Sequence, residues 1–565
     1  MNTHNNYNSF KTEKEGKGEM KISNTELQRY WFSFCQHVSC VAKTFFFLVT
    51  CLYRHILLRV HPLWIQIAYF MSLSFLGFCL LKLIQPRSSS TNSSTPIISN
   101  LDLFFTSVSA STVSSMSTVE MEVFSNPQLI VITLLMFLGG EVFTSMVGLF
   151  FIRLKLKTHQ DKLATSSVSI PPITSVLDPF ELEMVEVRSD QQPQNVKEPD
   201  NNDESSVVGN GEYLGYNSIK YLGFVVLGYQ LVVQLIGVTM VSVYLSTVSS
   251  AKQVLKKKGL ELFTFSLFTV VSTFASCGFV PTNENMVVFA KNSGLLMMLI
   301  PQVLLGNTLY PCCLRFSIWV LGKFVKKEES EYLAKNSQEV GYKHLLTREH
   351  SKFLLVTVIG FIVVQFLVFC SLDWDSVALE GLSWYEKVVG IIFQSVNSRH
   401  TGETIVDLSV LSPAILVLFV AMMYLPPYTS FLPVKKGKNG EGNSDQRKRK
   451  RRGILVENIK MSQLSYLLIF IFMICITESK DLTQDPLNFN VFNIVIEVIS
   501  AYGNVGFSMG YSCGRRIKME GNCENKSTGF VGRWSPEGKS ILILVMHFGR
   551  LKKFNMDGGQ AWILL

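Results

Sequence analysis

The chain has 565 residues, 48% of them hydrophobic and only 17% charged, with 41 phenylalanines. Several of its apolar runs approach or exceed the roughly 20 residues needed to cross a bilayer, which excludes a soluble globular protein and predicts a polytopic membrane protein. The net charge of +9 is not a nucleic-acid signal: Lys and Arg gather in loops and at the ends of apolar runs, where retention on the cytoplasmic side accounts for them.

Residues 1–62 read as a cytoplasmic N-terminal region with a polar start. Within it, residues 40–61 are apolar but interrupted by Lys43, Arg54, His55, Arg59 and His61, a pattern for a helix lying in the membrane interface. A first repeat occupies 63–152. It comprises a span at 63–84, a Pro/Ser/Thr loop at 85–99, a re-entrant segment at 101–126 and a span at 127–151. Residues 153–218 form a hydrophilic linker, with Asp200-Asn201-Asn202-Asp203-Glu204-Ser205-Ser206 as its disordered middle. A second repeat, 219–320, has spans at 219–248 and 294–320 around a re-entrant segment at 260–281. The loop 321–350 is basic (Lys323, Lys326, Lys327, Lys343, Arg348). A third repeat, 351–432, has spans at 351–371 and 409–432 around 384–403. The loop 433–460 carries Arg447-Lys448-Arg449-Lys450-Arg451-Arg452. The fourth repeat, 461–565, has spans at 461–477 and 540–556 around 487–507.

The expected fold is therefore all-α and polytopic, with eight transmembrane helices and four re-entrant loops in four repeats. The basic loops and both termini fall on one side, which the charge bias makes cytoplasmic. The two Asn-x-Ser/Thr sequons, at Asn92 and Asn525, fall on the other side, where glycosylation is available. Cys513 and Cys523 share an external loop, and a disulfide between them is left open. Most other cysteines (Cys79, Cys312, Cys313, Cys370, Cys475) lie in apolar runs as packing residues, and no metal-site spacing occurs. Lys252, Lys256, Lys257 and Lys258 dissent from the charge rule by lying outside.

The re-entrant segments imitate one another. The first contains Thr112-Val113-Ser114-Ser115-Met116, the second Ser272-Thr273-Phe274-Ala275-Ser276-Cys277-Gly278-Phe279. The third contains Val396-Asn397-Ser398-Arg399-His400-Thr401-Gly402-Glu403, and the fourth Ser500-Ala501-Tyr502-Gly503-Asn504-Val505-Gly506. They align on Ser115, Gly278, Gly402 and Gly506, with Ser109, Ser272, Val396 and Ser500 six residues earlier. Non-helical backbone at membrane depth is tolerated only where it is buried in protein or lines a cavity. Four such turns predict a single pore, because converging backbone carbonyls can replace the water around a monovalent cation. Any one of these glycines alone would read as a plain turn or packing site.

Glu120, Glu122, Glu284, Glu403 and Asp407 follow the turns on the outer side. They either concentrate cations at the mouth or serve as caps and loop residues. Arg399 and His400 read as hydrogen-bonding scaffold rather than a proton relay. Gly306, Pro311 and Pro426-Pro427 are the soft points of the spans. Arg550 lies in or near the last span, where a charge is a functional candidate by default or a side chain snorkelling to the interface. Lys552 and Lys553 read as interfacial anchors. A membrane enzyme would need His, Asp or Cys clustered within spans, and the nine histidines are scattered.

Thr106-Ser107-Val108-Ser109-Ala110 with 112–122, together with 272–286, 397–403, 501–507 and Gly549-Arg550-Leu551-Lys552-Lys553-Phe554-Asn555-Met556, closely resemble the plant HKT transporters. These group with the bacterial and fungal Trk and Ktr potassium transporters, and the resemblance covers roughly residues 63–565. It implies four span–pore-helix–span units around one pore in a plasma-membrane protein. Ser115, Gly278, Gly402 and Gly506 would form its selectivity filter, flanked by Val113, Ser114, Ser276, Cys277, His400, Thr401, Asn504 and Val505. A Ser at the first position resembles the Na⁺-preferring subfamily, whereas Gly there goes with K⁺. The resemblance also implies that Arg550 lies beneath the filter and regulates flow, that the protein forms a homodimer, and that it serves Na⁺ homeostasis and salt tolerance. No cofactor is expected beyond the transported ion. The leading expectation is passive Na⁺ influx, and the alternative is a Na⁺/K⁺ symporter or K⁺ uptake system on the same fold.

Overall fold

Polar caps cut the apolar chain into helices. The computed structural model describes residues 62–87, 98–164, 204–325, 328–337, 340–429, 463–516, 523, 525 and 529–555. The first unit runs through α1 (Pro62–Leu83), α2 (Asn100–Ser111), α3 (Asn126–Gly139) and α4 (Glu141–Ala164). Ser99 starts α2 by accepting the Asp102 amide at 3.1 Å. Ser125 and Gln128 form a capping box ahead of α3, with Pro127 in its first turn. The second unit contains α5 (Glu204–Thr247), α6 (Ser249–Lys258), α7 (Leu262–Phe274), α8 (Ser293–Gly306) and α9 (Tyr310–Val325). The third contains α10 (Arg348–Asp373), α11 (Trp384–Asn397) and α12 (Pro413–Tyr424), with a Ser383–Glu386 capping box on α11. The fourth contains α13 (Gln463–Thr477), α14 (Val491–Gly503), capped by Asn490, and α15 (Pro536–Asn555). Short helices at Glu328–Lys335 and Ser479–Gln484 lie in connections.

The helices α2, α7, α11 and α14 are short and lie inside the body. Each packs within its own unit and also against a helix of another: α3 on α7, α8 on α11, α12 on α14, and α15 on α2. The order closes on itself, so the units form a cycle. Small residues permit the close approach. The Ser107 hydroxyl donates to the Ser74 carbonyl of α1 at 2.6 Å, and the Ser74 and Ser111 hydroxyls meet at 2.6 Å. Ser107 and Ser111 of the hydroxyl-rich stretch are thus satisfied inside the protein.

The helix boundaries differ from the expected spans in three ways. The stretches 127–151 and 294–320 are not straight. The pair α3–α4 bends by 52° and α8–α9 by 82°, because Gly140 adopts an extended backbone (φ −58°, ψ 148°) and Asn307 leaves the helical region (φ −139°, ψ −89°). The helix α5 begins at Glu204, inside the stretch expected to be linker, and α4 continues to Ala164. Finally, α12 stops at Tyr424, ahead of Pro426-Pro427, so the 409–432 stretch is not one helix. Among the described residues α1, α5 and α10 suffice by length and composition to cross a membrane, and counting each bent pair as one span makes five; α7, α12, α13 and α14 are apolar but shorter. Gln66–Leu565 forms one compact unit. The expected interfacial helix at 40–61, Asn92, and the basic cluster Arg447–Arg452 lie outside the described residues.

Candidate functional site

The four short helices end in turns held by their own backbone. In three of them the amide just before the aligned residue donates five residues back: Ser114 to Ser109 (2.8 Å), Cys277 to Ser272 (2.9 Å) and Val505 to Ser500 (3.0 Å). The Ser272 and Ser500 hydroxyls also accept the Gly278 and Gly506 amides, at 3.1 and 3.0 Å. The third turn is one residue shorter. The Thr401 and Gly402 amides both reach the Asn397 carbonyl (3.3 and 3.1 Å). The counterpart of Ser272 and Ser500 is therefore Asn397, five residues before Gly402, and not Val396.

The turns abut in a ring. A Cβ on Gly278 would stand 1.4 Å from the Thr401 carbonyl oxygen, and one on Gly402 would stand 2.2 Å from that of Val505. A Cβ on Gly506 would stand 2.3 Å from the Ser115 Cβ. The Cys277 thiol meets the Ser115 backbone, which closes the circle. Gly278, Gly402 and Gly506 have φ of 90°, 69° and 100°, so backbone conformation and space both exclude a side chain there. Ser115 adopts φ 54° as well, at a cost of about 1–3 kcal/mol for a non-glycine residue. Its side chain is buried and fills the seam against Gly506.

Two residues ahead of the ring, Val113, Ser276 and Asn504 also lie in the left-handed region (φ 52°, 60° and 49°). Side chains brace two of them. Asn504 Nδ2 donates to Ser114 Oγ at 2.7 Å and to the Met546 carbonyl at 3.2 Å, and Asn307 Nδ2 donates to Ser276 Oγ at 3.0 Å. The third turn is braced differently. The Thr273 hydroxyl of α7 donates to the buried Glu403, while the Arg399 guanidinium donates to the Pro426 and Pro427 carbonyls at 2.7 and 3.1 Å. His400 and Thr401 are buried beside them. Arg399 is thus scaffold, joining the turn to the end of α12.

The outer carboxylates are partnered. Asn283 Nδ2 donates to Glu120 at 2.9 Å, and the Asn283 amide donates to Glu122 at 3.1 Å. Lys258 bridges Glu122 and Glu284 at 2.8 and 2.7 Å. Asp407 accepts from the Ser409 amide and hydroxyl, a local cap apart from the ring. Cys513 and Cys523 form a disulfide with Cα atoms 5.9 Å apart, and Asn525 Oδ1 accepts the Cys513 amide at 2.7 Å.

On the other face three helices break: α3 after Gly139, α8 after Gly306 and α12 after Tyr424. The fourth, α15, continues through Gly549 and Arg550. Gly139, Gly306 and Gly549 pack so closely on the carbonyl ends of α2, α7 and α14 that a Cβ would stand 1.9, 1.9 and 2.0 Å from the Ser111, Phe274 and Tyr502 oxygens. Pro311 sits in the first turn of α9, just past the α8 break. Buried Arg550 donates to the Gly139 carbonyl, a group the break at Gly140 releases, and its guanidinium lies 5.6 Å from the Phe70 ring. It does not snorkel. Lys552 is no free anchor either, since it donates to the Tyr502 hydroxyl at 2.7 Å; the Lys553 side chain lies outside the described residues.

Chain pattern gives no sign of the Arg399 contacts, the Asn283 zipper or the Arg550–Gly139 contact, because each joins residues far apart in sequence. Together the turns offer converging carbonyls, three ring positions without side chains, and helix carbonyl ends close by, which favours a cation.

The family model described as TrkH, cation transport protein, matches residues 211–552. The chain is 48% identical over 507 residues to the cation transporter HKT1;3 of Oryza sativa subsp. japonica, covering 89% of this chain and 92% of that one. It is 50% identical over 492 residues to the sodium transporter HKT1 of Arabidopsis thaliana, covering 86% and 91%. The solved potassium transporter TrkH of Vibrio parahaemolyticus matches at 14% identity and a TM-score of 0.42, covering 87% and 83%.

Proposed function

The chain belongs to the TrkH family of cation transport proteins and, within it, to the plant HKT transporters, and from that premise we propose that it is a Na⁺-preferring uniporter of the plasma membrane. It is a cation transporter and not an enzyme. In this reading the chain crosses the membrane eight times in four repeats, both termini are cytoplasmic, and Ser115, Gly278, Gly402 and Gly506 line the selectivity filter. Passage is passive. A membrane potential negative inside drives the ion inward with roughly 2.3 kcal/mol per charge per 100 mV.

One observation carries the Na⁺ preference: Ser115 alone brings a side chain to the ring, and that side chain fills the seam at Gly506. A filled seam holds the first and fourth turns at a fixed separation and works against a larger ion. The name of the 50% identical Arabidopsis relative, a sodium transporter, supports the same ion. Na⁺ homeostasis and salt tolerance are the corresponding role.

Voltage clamp of the expressed protein, with external Na⁺ and K⁺ exchanged, tests this beside Ser115→Gly. The wild type should follow the Na⁺ gradient. The variant, with the seam emptied, should gain K⁺ current by about tenfold relative to Na⁺. Equal K⁺ and Na⁺ currents in the wild type would reject the preference and favour a K⁺ uptake system. Absence of current from protein at the cell surface would reject permeation.

A further inference from the structure

The lysines that dissent from the charge bias lie on α6, and the last of them is not free. Gly259 ends α6 in the left-handed conformation (φ 64°), its amide donating to Lys256 and the Leu260 amide to Leu255, a glycine-terminated cap that fixes where Lys258 leaves the helix. Arg87 of the first unit donates to the Lys258 and Gly259 carbonyls at 3.4 and 2.9 Å, while its own amide bonds the Val123 carbonyl beside Glu122. The helix end is therefore pinned from two units. Lys252, Lys256 and Lys257 are exposed, whereas Lys258 turns inward.

There its ammonium contacts three carboxylate oxygens. Glu122 Oε1 is 2.8 Å away, and Glu284 Oε1 and Oε2 are each 2.7 Å away. Glu122 lies seven residues beyond Ser115 and Glu284 six beyond Gly278, so the site joins the outer ends of two adjacent turns. Partial burial opposes the charge on Lys258, but the hydrogen bonds it donates to Glu122 and Glu284 outweigh it and hold the ammonium above the ordinary lysine range. By sign, this contribution is complete below that ordinary range and is lost only as pH rises through the raised value.

We propose that Lys258 is a tethered monovalent cation occupying an oxygen site at the external mouth, and that its presence excludes divalent cations from that site. The geometry fits such an ion. Three oxygens already lie within 2.8 Å of one point, and Ca²⁺ takes carboxylate oxygens at about 2.3–2.6 Å. A contraction of a few tenths of an ångström brings these three oxygens to calcium distances, with water supplying roughly three to five further ligands. With Lys258 in place the net charge of the site is cut from −2 to −1, and a divalent ion would have to displace a cation that is covalently attached and cannot diffuse away. Without it, two carboxylates from adjacent turns face each other unbalanced, and a divalent ion resolves their repulsion. Lys258 is thus a specificity residue acting through Glu122 and Glu284, lying outside the ring itself.

This inference rests on the permeation reading, and one recording session separates the two. In full-length protein under voltage clamp, Na⁺ current is measured while external Ca²⁺ is raised. Lys258→Gln should lower the half-blocking Ca²⁺ concentration by about tenfold relative to wild type. Lys258→Arg, which keeps the charge, should stay near wild type. Adding Glu122→Gln and Glu284→Gln to Lys258→Gln should abolish the acquired block, which a purely structural role for Lys258 would not produce. Unchanged Ca²⁺ sensitivity in Lys258→Gln, or acquired block that survives loss of both carboxylates, overturns the proposal while wild-type current leaves permeation intact. Should Lys258→Gln fail to reach the surface, the partly exposed Glu284→Gln decides. It takes the cluster from a net charge of −1 to neutral, so inward current at low external Na⁺ should fall about twofold, and the difference from wild type should vanish as ionic strength rises. An unchanged current there overturns the proposal too.

Discussion

Outside the ring, neighbouring turns are joined by side chains of opposite charge. Lys258 spans Glu122 and Glu284, and Lys539 of α15 meets Asp102 of α2 at 2.9 Å. On the inner side the corresponding place is taken by one cation, Arg550, set against a main-chain carbonyl that a helix break has released. The outer joints need only two or three side chains. The inner joint needs the break at Gly140 to persist, since a continuous α3–α4 helix would reclaim the Gly139 carbonyl for its own ladder. Outer joints are therefore local and separable, and the inner one is coupled to backbone shape. Three of the four helices on that side carry such breaks, so the inner face is where the fold has conformational options.

The largest expected effect comes from disrupting what both faces share. Gly402→Ala places a Cβ 2.2 Å from the Val505 oxygen at φ 69°. It should reduce Na⁺ current by more than about tenfold in protein that still reaches the surface, as recorded currents normalised to surface label would show. The inner joint comes next. Arg550→Gln removes a buried positive charge that the proposed reading sets beneath the filter and should raise inward current about threefold; an unchanged or smaller current would mean that Arg550 is a structural tie only. The outer ion pair has the smallest effect on current. Lys539→Gln leaves the largely buried Asp102 without its cation and should cost about 3 kcal/mol in thermal unfolding of the purified protein while leaving Na⁺ current unaltered. A larger change of current in Lys539→Gln than in Arg550→Gln would invert the contrast between the faces.

The turns are visible in the sequence because hydroxyl residues and glycines set between long apolar runs cannot sit against lipid and must face protein or a cavity. Ser115, Gly278, Gly402 and Gly506 are legible as equivalents on that ground. The single-residue contraction in the third turn is not, because Val396 and Asn397 both continue the buried face of α11 and only the backbone bond to Asn397 tells them apart. Hydropathy reports apolar length and ignores direction, so the stretches bent at Gly140 and Asn307 read as straight spans. The polar start of α5 reads as linker because its composition carries no apolar stripe. In the sequence Lys258 stands only as an exception to a charge rule. What accounts for it is a pair of carboxylates from two other segments, Glu122 and Glu284, which no local pattern could bring to it.

All four turns come from a single polypeptide, and this has a consequence for inheritance. In an assembly of identical subunits every altered codon is expressed at each symmetry-related place, so a change at the ring arrives in as many copies as there are subunits. Here Ser115 stands opposite three glycines and can be altered alone. Under the proposed reading, selectivity can then be adjusted in the first quadrant alone, since the three glycines have no room for a side chain.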